Sequence, residues 1–570
     1  MTTIHKAYRA RLNAERREIR ILTLHPGTPP SPIRCSLSVH SLSDLPTYDA
    51  LSYAWGDANI RRGIVVDGEQ LRVTRNLEVA LWHLRDPNEN RIMWIDALCI
   101  NQSDVIERNE QVRIMRDVFS SARTVFLWIG EADDWSDVAF DHMSWHTGMP
   151  KEMGTRRHLL LFIYSLHFRP YFTRIWTLQE MCLAKRDPIV VCGYKAALWS
   201  SFVEAFEIMY NATFQEIPRS MVEHMDAELR GQSFLPIQRT KELRAMVQKY
   251  HGCTLDYLLY NTVAHDATVP QDKVYALVGL LVTDLMANLA VDYRKSKVRV
   301  YTDAMAYMFT EDCGAESLST LWQGLGACGF PSWVPDFSCR ELESADTGKM
   351  HSFLVPDAVL VHYSGPDVDP SLVKGQVLAD NETLEAAAWL IDTVEDVLLF
   401  GDDLTACVSQ LPEVEAHAAR ATNRACNNAA PREPLWRTLA SNSKYDDPPA
   451  IAPIAHEHDY QKLLSSAPLV DGSDLLYGDY AQRLKRQLPG RTFFTTANGL
   501  LGLGTPNVRA GDHVTHWPDA RTPFLIRTCE DHQGYCRLIG PAYVGGIMAG
   551  TMLKDIIAAK GLELTTLLIR

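Results

Sequence analysis

Between Arg91 and Gly130 the hydrophobic pattern spells out one complete unit of structure. Ile92-Met93-Trp94-Ile95 is an unbroken apolar run that suits a strand buried on both faces, and Val125 to Ile129 is a second. Between them Val112, Met115, Val118, Phe119 and Ala122 recur at helical spacing, behind an Asp104/Glu107 pair that predicts a capping box. Strands joined by a helix are nearly always parallel, so Asp96 to Gln102 and Gly130-Glu131 are expected to leave one sheet at its carboxyl edge, where open sheets bind ligands.

The flanking text extends the pattern. Glu18 to Leu24 and Ile33 to Val39, split by a Pro/Gly cluster, predict a hairpin; Tyr48 to Asp57 predicts a first strand ending at Gly56. A second hairpin is expected around Val66-Asp67-Gly68-Glu69. A helix follows on Leu77, Ala80, Leu81 and Leu84, with Asn76 as its N-cap. Arg169 to Glu180 enters another helix, and Ile189 to Gly193 is a further strand. The alternation predicts an α/β parallel sheet of the flavodoxin-like type. Periodic apolar residues after Trp199 predict helices packed on that domain, and Asp272-Lys273 reads as structural rather than as a ligand site. The short runs between Arg491 and Tyr543, cut by Gly, Pro and Asp, predict a small β-barrel or sandwich, with a short helix ending near Lys560. The resulting plan is a hairpin over 1–45, an α/β domain over 46–200, a helical region over 201–340, a mixed region over 341–490 and a β-rich module over 491–570.

Composition narrows the function classes. With 570 residues and 46% hydrophobic content the chain can bury several cores, and its net charge of −14 argues against a nucleic-acid or anionic membrane surface. No apolar segment reaches the ~18 residues needed to span a bilayer, and the N-terminal stretch lacks the apolar core of a secretory signal, so the expected address is the cytoplasm. The twelve cysteines include no Cys-x-x-Cys pair and read as reduced, buried side chains. His142 and His146 lie one helical turn apart without a third ligand at recognisable spacing, so no metal is assigned. The nucleotide-binding glycine patterns of Rossmann and P-loop proteins are absent, which leaves no expected cofactor.

The chemistry gathers at the expected sheet edge. Glu180 is the candidate catalytic residue: Trp176 precedes it by four positions on one helix face, and an indole beside a carboxylate limits its solvation and offers a surface to a flat ring. Tyr53, Trp55, Gly56, Asp57, Asp96, Asn101, Arg174 and Trp176 are the candidate substrate-binding residues. Each has a plainer reading too. Asp57 and Asp96 are equally good turn formers, and a Trp-x-x-x-Glu pair is more often a packed ring beside a solvated acid.

Three stretches in order, YDALSYAWGD, WIDALCINQ running into ERNEQVRIMRDVFSSARTVFLWIG, and RPYFTRIWTLQE, resemble the signature blocks of the fungal heterokaryon-incompatibility (HET) domain. VPQDKVYALVGL, the Asp292-Tyr293 pair and PSWVPDF resemble downstream parts of long HET proteins. The resemblance implies a role in fungal non-self recognition and programmed cell death, with self-association or an unidentified protein partner as trigger. HET domains are similar in turn to TIR domains, a more distant likeness that implies a flavodoxin-like fold and NAD as a substrate. In TIR enzymes the catalytic glutamate lies in a Trp-Cys-x-x-Glu motif; Trp176 to Glu180 keeps that spacing with Thr177 in place of the cysteine. Two classes follow, an NAD-cleaving enzyme and a non-catalytic signalling adaptor that uses the same surface to bind protein.

Overall fold

A computed structural model of the chain describes residues 8–143, 165–166, 169–214, 235–282, 289–311, 314–321, 325–338, 375–424, 433–441, 455–466, 478–518, 520, 522–548 and 551–570. They fall into two compact units, which divide near residue 297.

The first unit is built on a nine-stranded mixed sheet. Its strands are β1 (Glu18–Leu24), β2 (Arg34–Ser41), β3 (Asp49–Tyr53), β4 (Arg61–Val66), β5 (Glu69–Thr74), β6 (Arg91–Trp94), β7 (Val125–Gly130), β8 (Ile189–Cys192) and β9 (Lys195–Leu198), in the order β5-β4-β2-β1-β6-β3-β7-β8-β9. The middle four, β6-β3-β7-β8, are parallel. Numbered by their own sequence order they read 2-1-3-4, the arrangement of the first four strands of a flavodoxin-like sheet. The sheet as a whole departs from the all-parallel expectation. The β1–β2 hairpin joins it antiparallel through β6, and β9 closes the other side antiparallel to β8. The β4–β5 hairpin turns at Asp67-Gly68, both with positive φ, as a two-residue turn that matches strand twist requires.

Helices cover the parallel centre: α1 (Arg75–Leu84), the single turn α2 (Asp96–Cys99), α3 (Val105–Ser121), α4 (Asp134–Met143) and α5 (Ile175–Cys182). Trp94 and Leu127 are fully buried in the central strands, and Phe119 of α3 meets Trp94 edge-on at 5.5 Å. After β9 come α6 (Trp199–Phe214), α7 (Leu235–Tyr250), α8 (Leu255–Asn261) and α9 (Asp272–Val278). α5 is buried along its whole length, because α7 and α9 also pack on it.

Two local expectations change. Asn76 is not the N-cap of α1; that place belongs to Thr74, and the Asn76 amide instead accepts from the Trp128 indole at 3.0 Å and donates to the carbonyl of Ala54. Asp104 caps α3 as expected, but Glu107 does not return to it. Its carboxylate turns inward to a bidentate pair with buried Arg20, at 2.5 and 3.1 Å. The His142/His146 pair lies outside the residues whose side chains are described, and no group of three or more metal-ligating side chains occurs among the described residues.

The second unit centres on a β-barrel. Its strands are β10 (Gln376–Val377), β11 (Leu384–Leu399), β12 (Thr492–Thr496), β13 (Leu501–Gly504), β14 (His513–His516), β15 (Phe524–Thr528), β16 (Tyr535–Pro541), β17 (Tyr543–Val544) and β18 (Thr565–Ile569). The 16-residue β11 pairs with β18 along its first half and with β14 further on, while β15 and β16 complete the ring. The C-terminal β module is therefore present. β11 falls where no strand was expected, since its Glu- and Ala-rich text favours helix and its inward pattern slips at two bulges. Trp333 anchors the packing of its turn: it is fully buried and donates to the Glu382 carbonyl at 2.9 Å. No helix among the described residues is long and apolar enough to cross a membrane.

Candidate functional site

The parallel strands deliver their carboxyl ends to one edge. From β3 come Ser52 and Tyr53, from the turn after β6 comes Asp96, and α5 with its N-cap supplies Arg174, Trp176 and Glu180. Glu180 is 4% exposed and its Oε2 accepts from the Ser52 hydroxyl at 2.5 Å; that hydroxyl lies 2.8 Å from the Tyr171 hydroxyl. Burial first, and then repulsion from Asp96, push the Glu180 carboxyl up to about 8, against an opposing pull from Arg174. Asp96 is raised in turn, again chiefly by burial, while Arg174 and the Trp55 indole draw it back. Two carboxyls share one guanidinium here, so the free site favours holding a proton.

Each neighbour has a definite anchor. The Trp55 indole donates to Asp96 at 2.8 Å, the Ala97 amide donates to the same carboxylate at 2.7 Å, and the Tyr53 hydroxyl faces it. Arg174 donates to the Tyr53 carbonyl at 2.9 Å and lies over the Trp55 ring at 5.2 Å. The loop after Asp96 is held from inside: Glu107, fixed by Arg20, accepts from the Asn101 amide at 2.7 Å. Thus Tyr53, Trp55, Asp96, Arg174 and Glu180 are brought together, and Trp176 is buried one turn before Glu180 on the same helix.

Three candidates are not. The Asn101 side chain accepts from the Ser103 amide and serves its own turn. Asp57 is exposed and binds Asn59 in an Asx turn. Gly56 has φ +74, and a Cβ there would approach Asn76 at 3.2 Å, so it is a backbone requirement of the strand exit.

Residues that sequence reasoning passed over complete the site. Ser52 and Tyr171 lie within stretches already singled out, but hydroxyls carry no spacing signal. Asp272, read as structural, is 8% exposed and accepts from Tyr293 at 2.6 Å, within the field of Arg174. Its neighbour Lys273 turns away to the carbonyls of Val263 and His265.

Comparison with known proteins now bears on this geometry. Residues 48–180, which carry every part of the site except Asp272 and Tyr293, match the family described as heterokaryon incompatibility protein (HET). This stretch is similar to the HET family. Residues 442–557 match the Het-6 beta-barrel domain, in agreement with the barrel of the second unit. The chain is similar to heterokaryon incompatibility protein 6, OR allele, of Neurospora crassa, with 25% identity over 653 aligned positions covering 94% of each chain. No solved structure matches it.

Proposed function

We propose that this chain acts as a HET protein in fungal non-self recognition leading to programmed cell death, and that its first unit does so by cleaving NAD in the cytoplasm. The family and the relative's name support the setting. The reaction rests on one observation above the others: Glu180, a buried carboxyl pushed up to about 8, beside a second carboxyl at the carboxyl edge of the parallel strands. The 2-1-3-4 strand order and the Trp176-to-Glu180 spacing support a TIR-like reading of that edge.

The chemistry is consistent with these groups. A bound nicotinamide ring brings a positive charge next to two carboxyls that share only Arg174, which favours loss of the Glu180 proton as the substrate docks. The ionised carboxylate then faces the ribose carbon. As the bond between that carbon and the ring nitrogen breaks, its electron pair stays with nitrogen and neutral nicotinamide leaves. The carboxylate stabilises the cationic character left behind. Water adds to the carbon, and its proton passes to Glu180, whose Ser52 and Tyr171 contacts offer an onward hydrogen-bonded chain. Self-association of the first unit is the activating event in this reading.

The test is nicotinamide release from NAD by the purified full chain and its Glu180→Gln variant. Release by the wild type and its loss in a folded variant are expected. A wild type that binds its cellular partners without any turnover would sink the enzymatic reading and leave an adaptor.

A further inference from the structure

The family match ends at residue 180, yet what holds the site continues beyond it. Arg174 is fixed at both its ends. Its guanidinium donates to the Tyr53 carbonyl at 2.9 Å and lies over the Trp55 ring at 5.2 Å. Its main chain forms a parallel bridge with Asp266: the Ile175 amide donates to the Asp266 carbonyl at 3.0 Å, and the Asp266 amide donates to the Thr173 carbonyl. Within α5 the Thr177 hydroxyl donates to the Arg174 carbonyl at 2.7 Å, so the bridge is a hold from outside the helix. The loop that carries Asp266 follows α8 and turns on itself, with the His265 amide donating to the Thr262 carbonyl at 2.9 Å and the His265 side chain buried. One ammonium ties this loop to α9. Lys273 Nζ donates to the Val263 carbonyl at 2.9 Å and to the His265 carbonyl next to Asp266. Lys273 stands in the first turn of α9, where the partial positive charge of a helix start disfavours a cation, and the two loop carbonyls offset that cost.

We propose that Lys273 is a positioning residue of this site: by tying the loop at residues 263–265 to α9 it keeps the Asp266 bridge in register, and with it the start of α5 from which Arg174 reaches Tyr53 and Trp55. The catalytic consequence rests on the NAD-cleavage reading; the structural content does not. A bridge of two backbone hydrogen bonds is weak by itself and persists only if the loop behind it is ordered. A charged donor shared by two carbonyls of that loop supplies the order. Arg174 in turn draws down both Asp96 and Glu180, and a charge acts less strongly as it moves away. A displacement of about 1 Å at the start of a helix that carries such groups is enough to cost up to ~100-fold in rate.

The experiment uses the full chain labelled with ¹⁵N-tryptophan, as wild type, Lys273→Met, Lys273→Gln, Arg174→Met and the Lys273→Met/Arg174→Met double variant. The Trp55 indole resonance, whose N–H donates to Asp96 and whose ring lies under Arg174, is identified by its loss in Trp55→Phe. In Lys273→Met that resonance is expected to move in the same direction as in Arg174→Met, and nicotinamide release to fall about 10-fold. In the double variant both readings should match Arg174→Met alone, because a residue that acts through Arg174 has nothing left to act on. Lys273→Gln keeps a neutral donor, so a smaller movement of the same sign is expected, and it carries the test should Lys273→Met fail to fold. An unmoved Trp55 resonance in the folded Lys273 variants overturns the proposal, as does a Lys273→Met effect that adds in full to that of Arg174→Met. A moved resonance with unchanged nicotinamide release overturns its catalytic part. If the wild type releases no nicotinamide, the NAD reading fails, and the resonance still decides whether Lys273 positions Arg174.

Discussion

At the scale of single residues, Glu180 sets the pH behaviour. Its proton affinity in the folded protein exceeds that of an exposed glutamate, so the folded state binds this proton more tightly than the unfolded one. The stability it contributes is fully present below about 4.5, the ordinary value, and is lost as pH rises through about 8. Glu180→Gln should therefore melt at a higher temperature than wild type at pH 9 and at nearly the same temperature at pH 4. The same substitution should lower nicotinamide release on the order of 100-fold or more. A variant that gains stability while losing activity separates a functional acid from a packing one; full activity in a well-folded Glu180→Gln protein would remove Glu180 from the mechanism. In the proposed reaction the reactive form of Glu180 is the ionised one, so kcat/KM is expected to rise with pH through about 8. Asp96→Asn removes the like charge and should move that rising limb toward acid, whereas a limb that stays put would mean that the two carboxyls do not interact.

At the scale of elements, the site depends on supports that a helix-by-helix reading does not show. The loop bearing Asp96 is pinned through Glu107 and Arg20, whose side chains are only 8% and 1% exposed. Removing one partner leaves the other charge buried, so Glu107→Ala is expected to cost roughly 3–5 kcal/mol in urea unfolding, and Arg20→Met with Glu107→Leu together should recover most of it. A single variant within 1 kcal/mol of wild type would show that the guanidinium finds water instead. α5 has a similar dependence at its C-terminal end. The Met181 carbonyl accepts from Arg244 at 2.6 Å, and the carbonyls of Cys182 and Ala184 accept from Gln248, both donors lying on α7. Residues 1–200 alone leave these carbonyls unpaired and expose the apolar face of α5. That fragment is expected to be insoluble or to lack a cooperative melt, while residues 1–297 fold; a well-folded 1–200 fragment would show that α7 to α9 are dispensable to the site.

At the scale of the whole molecule, the division near residue 297 gives the question of restraint a definite form. An enzyme that depletes a common cofactor must be held inactive, and the barrel-bearing second unit is the available restraint within the chain. Expressed in a fungal host at matched protein levels, residues 1–297 should kill more cells than the full chain, with Glu180→Gln abolishing the difference. Equal toxicity would move the restraint to another molecule.

What could be read without coordinates was whatever local pattern determines. Four central strands, the α3 crossover and the shared edge followed from apolar runs, a 3.6-residue period and the handedness of parallel connections, all properties of contiguous residues. Trp55, Asp96, Arg174, Trp176 and Glu180 could be nominated because they stand where strands end or where a helix face repeats. Tertiary structure alone decided the rest. Glu107 faces Arg20 rather than its own cap, because a partner 87 positions away offers a bidentate pair in the interior. β11 is a strand in spite of helix-favouring residues, because it is paired on both sides. Asp272 joins the site since a carboxylate's partners are chosen by the packing of α9 on α5, and the Glu180 proton is held by burial and by Asp96. Desolvation and charge coupling are properties of an assembled neighbourhood, and no window along the chain contains them.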